Sequence, residues 1–231
     1  MNKFVNLKNN NSEDEEGDDL IMQAPQNIHL PFFRSTHSVQ RIRAYLDEQI
    51  REPKYYRQLI QAIDTMGEYD TLELHIDTYG GSLDGAVALI NAMDGCEGKV
   101  CAIVNGVAAS AGSLIALSAP NVFVGPYATM MIHAASFGSF GKQSDVIGHA
   151  AYVDKRVKTL MGNIYKDFLT PDELAEVFMG REIWLMNDEL IERLKKRSEI
   201  QAQRMQEVEQ SMIEAEEEAE EKPKRVRKAK T

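Results

Sequence analysis

The chain has 231 residues, 43% of them hydrophobic, and carries a formal net charge of −10. That length buries one full core rather than two, and no run of about 18 apolar residues is present to span a bilayer, which excludes a membrane helix. The acidic balance argues against nucleic acid as a partner, because phosphate binding calls for clustered Lys and Arg.

Residues 1–26 hold an Asn run followed by six acids between Glu13 and Asp19, too polar to repay chain entropy, and are expected to form a disordered acidic arm. The same stretch lacks the apolar core and small-residue cleavage site of a secretory signal, so a cytoplasmic setting is expected. Order is expected from NIHLPFF at 27–33, read as a strand that Pro31 places at a sheet edge. Across 38–66, Ile42, Tyr45, Leu46 and Ile50 fall at helical spacing; Pro53 interrupts, and Tyr56, Leu59, Ile60 and Ile63 resume the stripe, so the segment reads as a broken helix.

Strand and helix then alternate. LELHIDT at 72–78 reads as a buried strand, 80–93 as a Gly-Gly turn into a helix, and KVCAIVN at 99–105 as a second strand. GVAASAGSLIALSA at 106–119 reads as a tight turn running into a small-residue helix, with strands at 121–125 and 129–135. Such β-β-α units imply an α/β fold with right-handed crossovers. Cys96 and Cys101, five positions apart and without a C-x-x-C pair, suit reduced structural thiols better than a zinc site or a disulfide. From Gln143, Val146, Ala150, Val153, Val157, Leu160 and Ile164 mark one long helix face. Thr170 and Pro171 open a short helix that Gly180 ends, REIWLM returns as a strand, and from Asn187 propensity favours a helix to about 218. The tail joins EAEEEAEE at 214–221 to KPKRVRKAKT at 222–231, adjoining charge blocks of a kind usually solvated and disordered.

Three local features bear on chemistry. A serine hydroxyl needs a base to take its proton and backbone N–H groups where an oxyanion develops. Ser110 and Ser113 lie among small residues where a turn enters a helix, whose N-terminus favours negative charge. Gly80 and Gly81 follow a strand and can turn their N–H groups into a cleft. His133 ends a strand.

In combination these segments resemble the Clp peptidase family. HIDTYGGSLDGAVALINAM is similar to its strand, Gly-Gly turn and helix, VNGVAASAGSLIALSAP to its nucleophile segment, and MMIHAASFGSFGKQSDVIGHAAYV to its histidine segment and handle. The resemblance covers roughly 27–192 and implies a crotonase-like α/β fold of repeated ββα units with a protruding handle helix. It implies a catalytic domain at 27–195, with a charged helical and disordered tail at 196–231. It also implies Ser110 as nucleophile, His133 as general base, and an oxyanion hole from Gly80 or Gly81 with Ala111; His149, in the handle, is read as structural. The activity implied is serine endopeptidase cleavage of unfolded proteins inside homo-oligomeric stacked rings, with neither metal nor organic cofactor. A separate AAA+ ATPase would deliver substrate, since the chain has no G-x-x-x-x-G-K-[ST] motif. The REIWLM strand resembles that of phage-encoded members.

The family's third catalytic residue, an Asp, has no direct counterpart. One alignment places Phe178 there and another Gly180, which leaves Glu182 as the nearest carboxylate, Asp172 as second choice and Asp167 behind it. Two other readings stay open: a ring or scaffold subunit that has lost activity with its orienting Asp, and a crotonase-type acyl-CoA enzyme on the same architecture.

Overall fold

A computed structural model of the chain describes residues 39–221, with side chains to Glu214. The expected arm at 1–26, the strand at 27–33 and the basic end of the tail lie outside the described residues. Six strands form one sheet: β1 (Arg41–Leu46), β2 (Thr71–Thr78), β3 (Lys99–Ala109), β4 (Asn121–Val124), β5 (Thr129–Ile132) and β6 (Ile183–Met186). The order is β1-β2-β3-β5-β6, with β4 also on β3; every pairing is parallel except the antiparallel β5–β6. Three helices connect the parallel strands, α1 (Arg57–Asp64), α2 (Leu83–Asp94) and α3 (Ala111–Ser118). Leu72, Leu74 and Ile76 of β2 are fully buried, as are Leu89 of α2 and Ile115 of α3.

The helix expected across 38–50 is a strand instead. Ile42, Leu46 and Ile50 are four apart, a spacing that suits one face of a strand as well as one face of a helix. Tyr45 decides between them: a helix would place it beside Ile42, whereas here it is exposed and stacks on His75 with ring centroids 4.9 Å apart. On the same outer face Glu73 takes Arg43 at 2.7 Å and Arg41 at 3.4 Å. Parallel pairing of Ile42 with Leu72 and Leu46 with Ile76 outweighs helix propensity. The helical stripe is genuine only from α1 onward, after a 3-10 turn at Pro53–Tyr56.

β3 is also longer than expected, because Gly106–Ala109 continue the strand and the turn is confined to Ser110. One edge of β3 pairs with β2 and the other is shared end to end, Cys101–Val104 with β4 and Val107–Ala109 with β5. Between Ile76 and Thr78 the β2–β3 register slips. There Asp77 accepts the Val107 N–H at 2.8 Å, and a Cβ at Gly106 would lie 2.4 Å from the Asp77 carboxylate, so a larger residue there would displace that carboxylate from the bulge.

Beyond β5 come α4 (Gln143–Tyr165), α5 (Pro171–Phe178) and α6 (Asn187–Glu221). Thr170 and Glu173 close a capping box on α5, and Gly180 follows that helix at φ 102°. Glu173 also holds Arg193 of α6 at 2.7 Å, and the Arg197 guanidinium donates to the Leu117 carbonyl at 2.5 Å. Asp167 takes both arms of Arg204 at 2.8 and 2.9 Å.

Candidate active site

β2, β3 and β5 are parallel neighbours, so their C-terminal ends open at one place, the usual position of a site in such sheets. The end of β2 gives Gly80 and Gly81, the end of β3 gives Ser110, and the end of β5 gives His133. The Ser110 N–H donates to the Met131 carbonyl at 2.8 Å, which ties the β3 terminus to β5 two residues before His133. The result is a contact of 2.7 Å between His133 Nε2 and Ser110 Oγ. An imidazole nitrogen at that distance can take the hydroxyl proton.

Ser110 has φ 54° and ψ −118°, and is the only residue other than glycine with positive φ among the described residues. A strained sharp turn from strand to helix raises the hydroxyl above the sheet, as in a nucleophile elbow. Neighbours hold the strain. The Ser110 carbonyl accepts from the Ser113 and Leu114 amides at 3.0 and 3.2 Å and from Ser113 Oγ at 2.7 Å. Ser113 Oγ in turn meets the Tyr165 hydroxyl of α4 at 2.8 Å. Burial pushes the Tyr165 phenol far up, so it keeps its proton. Ser113 spends its one proton on Ser110, and Tyr165 must therefore be the donor between them. Of the two serines that suited the chemistry by type, Ser113 is wholly buried, whereas Ser110 lines a cleft.

The cleft, of about 400 Å³, is lined by Gly81, Ser110, Ala111 and His133, with Leu114, Val157 and Met161 as an apolar wall. Gly80 and Gly81 differ in how they meet it. The Gly80 N–H donates to Thr78 Oγ1 at 3.1 Å, and a Cβ on Gly80 would lie 2.8 Å from that of Ser110, so Gly80 gives room rather than a donor. Gly81 forms a parallel bridge with Ile50 in which the flanking Gly80 carbonyl and Ser82 N–H make the bonds. The polar groups of Gly81 itself consequently point away from Ile50. Gly81 and Ala111 both line the cleft, and neither N–H has a hydrogen-bond partner among the described residues.

The carboxylates separate clearly. Glu182 Oε1 lies 4.0 Å from His133 Nδ1, with the side chain 54% exposed, and Glu182 Oε2 accepts from the Trp184 indole at 3.2 Å. Asp172 is exposed in the first turn of α5, and Asp167 is bound by Arg204, which holds its carboxyl below the usual range. Phe178 packs against the core, and His149 is exposed on α4 with its ring edge to Phe137. Sequence reasoning missed Tyr165, whose signal was a tyrosine four residues beyond Met161 on the buried face of α4, where a phenol needs a polar partner.

Residues 42–193 match the Clp protease family. The chain is 30% identical over 118 residues to the ATP-dependent Clp protease proteolytic subunit 1 of Chlamydia caviae, covering 49% of this chain and 62% of that relative, less than two thirds of its length. It is 29% identical over 134 residues to the ATP-dependent Clp protease proteolytic subunit of Streptococcus thermophilus, covering 56% of this chain and 68% of the relative. The subunit of the same name from Streptococcus gordonii is 29% identical over 133 residues, with the same coverage. With two thirds of its length matched and with the mixed α/β sheet of that fold, the chain belongs to the Clp protease family.

Proposed function

We propose that the protein is a serine endopeptidase that cleaves peptide bonds in unfolded polypeptides through an acyl-enzyme. The observation that carries this reading is the 2.7 Å contact of His133 Nε2 with a serine hydroxyl raised on a strained turn. Ser110 Oγ attacks the scissile carbonyl while its proton passes to His133 Nε2; the C–N bond then breaks as that proton moves to the leaving amine. Water, deprotonated by the same nitrogen, attacks the ester and returns the serine. The N–H groups of Gly81 and Ala111 receive the oxyanion of both tetrahedral intermediates. Glu182 is the group that orients His133, and a rotation of its exposed side chain shortens the 4.0 Å separation to hydrogen-bond length. The apolar wall of Leu114, Val157 and Met161 takes an apolar substrate side chain beside the scissile bond.

Family membership supports homo-oligomeric stacked rings, work in the cytoplasm, and a separate AAA+ ATPase that delivers unfolded substrate. No helix among the described residues is long and apolar enough to cross a membrane.

A fluorophosphonate probe, with mass mapping of the adduct, tests the reading. Labelling at Ser110 together with casein digestion is expected, and Ser110→Ala abolishes both. Intact folded rings that neither label nor digest casein would overturn it in favour of an inactive scaffold subunit, while turnover of an acyl-CoA without labelling would point to crotonase chemistry.

A further inference from the structure

Among the described residues, helix α6 is docked on the sheet body only over its first half. Leu190 is fully buried, Arg197 is nearly so, and Arg204 reaches back to Asp167; from Ala202 to Glu214 every residue is exposed. Within that exposed half Met205 is 75% exposed, Val208 53% and Met212 61%. They are spaced three and four apart, the a, d, a spacing of a helix-pairing seam, and Ile213 lies next to them. Apolar side chains in a row on a helix segment that packs on no other element among the described residues are expected to be covered.

Charge along the same helix says by what. From Arg193 to Arg204 the sequence has five bases and one glutamate; from Met205 to Glu221 it has eight glutamates and no base. Arg193 and Arg204 are engaged by Glu173 and Asp167, while Lys195 and Lys196 are exposed and form no ion pair among the described residues. Side by side in parallel, two such helices would bring acidic half against acidic half. Turned antiparallel, each acidic half lies along the basic half of the other, and the seam still meets itself.

We propose that the distal half of α6 is an interaction surface for a second copy of this chain, paired antiparallel with Met205 of one helix against Val208 of the other. In that register each d position faces an a position, so Met212 of one copy lies level with Gln201 of the second copy. The pairing is independent of the peptidase reading, because no residue of the seam lines the cleft.

Cysteine pairing in the full-length protein tests it, in a Cys96→Ser background that leaves only the buried Cys101. Met205→Cys and Val208→Cys proteins are oxidised separately and as a mixture, capped with an alkylating agent, and run on a non-reducing gel. The mixture is expected to give several-fold more disulfide dimer than either protein alone, and Lys195→Glu with Lys196→Glu should cut that yield several-fold. Equal or stronger cross-linking of each variant with itself would establish a parallel pair and overturn the antiparallel one. No cross-linking in any sample would show that a second copy does not cover this face. A yield indifferent to the two lysine changes would remove the charge argument on which the direction rests.

Discussion

At Ser110 a backbone conformation rare for a side-chain-bearing residue is maintained by a run of hydrogen bonds from Tyr165 through Ser113 to the Ser110 carbonyl. Removing one member is expected to cost more than removing two. Ser113→Ala strands a buried phenol and should destabilise by about 1–3 kcal/mol, whereas Ser113→Ala with Tyr165→Phe leaves no unpaired donor and should recover part of the loss, as measured by urea unfolding. If the run also positions Ser110, Tyr165→Phe lowers kcat several-fold with KM unchanged; a purely structural role leaves kcat per folded site as it was. For the orienting group, Glu182→Gln should lower the rate by orders of magnitude and Asp172→Asn should change it little, in variants that assemble like the parent; the reverse ranking would move the role to Asp172. The local trace of a serine among small residues fitted Ser113 as well as Ser110, and a histidine closing an apolar strand is a weak sign by itself; it was the family resemblance that singled out Ser110 and His133, which the structure brings to 2.7 Å of each other. The Tyr165 contact was not legible, since it joins residues 52 positions apart across two helices.

Among the elements, α5 joins two roles in one carboxylate. Glu173 closes the capping box with Thr170 and pairs with Arg193, and its pKa is lowered to about 2, chiefly by the Arg193 hydrogen bond. A carboxyl with a folded pKa below its unfolded value of about 4.3 contributes stability that is fully present above that value and is lost as pH falls towards about 2. The difference in urea midpoint between the parent and Glu173→Gln should therefore be largest near neutrality and shrink as pH drops from about 4 to 2; a constant difference would show that the cap, not the charge, carries the effect. Thr170→Ala should cost about 1 kcal/mol at any pH. Helices α4, α5 and α6 and strands β2, β4, β5 and β6 were readable because period and caps agree over several residues. β1 was misread because its apolar residues sit at a spacing common to helix and strand, and only the partner strand breaks the tie. The last turn of β3 was misread for a related reason: Gly106 and the alanines after it carry no strand propensity, and only pairing with β5 and room for Asp77 hold them extended.

Over the whole molecule, every described element that contributes to the cleft lies between Thr71 and Met186, and from composition alone the charged ends, which lie outside the described residues, are expected to stay out of the core. A chain trimmed to residues 26–221 is thus expected to cleave short peptides at the parent rate; loss of that activity with an unchanged oligomeric state would show that an end helps shape the site. The shared edge of β3 bears on a hazard that any enzyme acting on polypeptides faces, its own chain as substrate. A peptidase cleft accepts extended backbone whose hydrogen-bonding groups are unoccupied, and β3, paired on both sides over Cys101–Val104 and at Ala108, offers little beyond the short interruption at Asn105–Val107 until the sheet opens. Its amides should be among the last to exchange with deuterium. The distal half of α6 stands at the other extreme: where its proposed pairing with a second copy is broken, a chain with the proposed peptidase activity should nick itself first beyond Arg204 and spare the segment that carries Ser110.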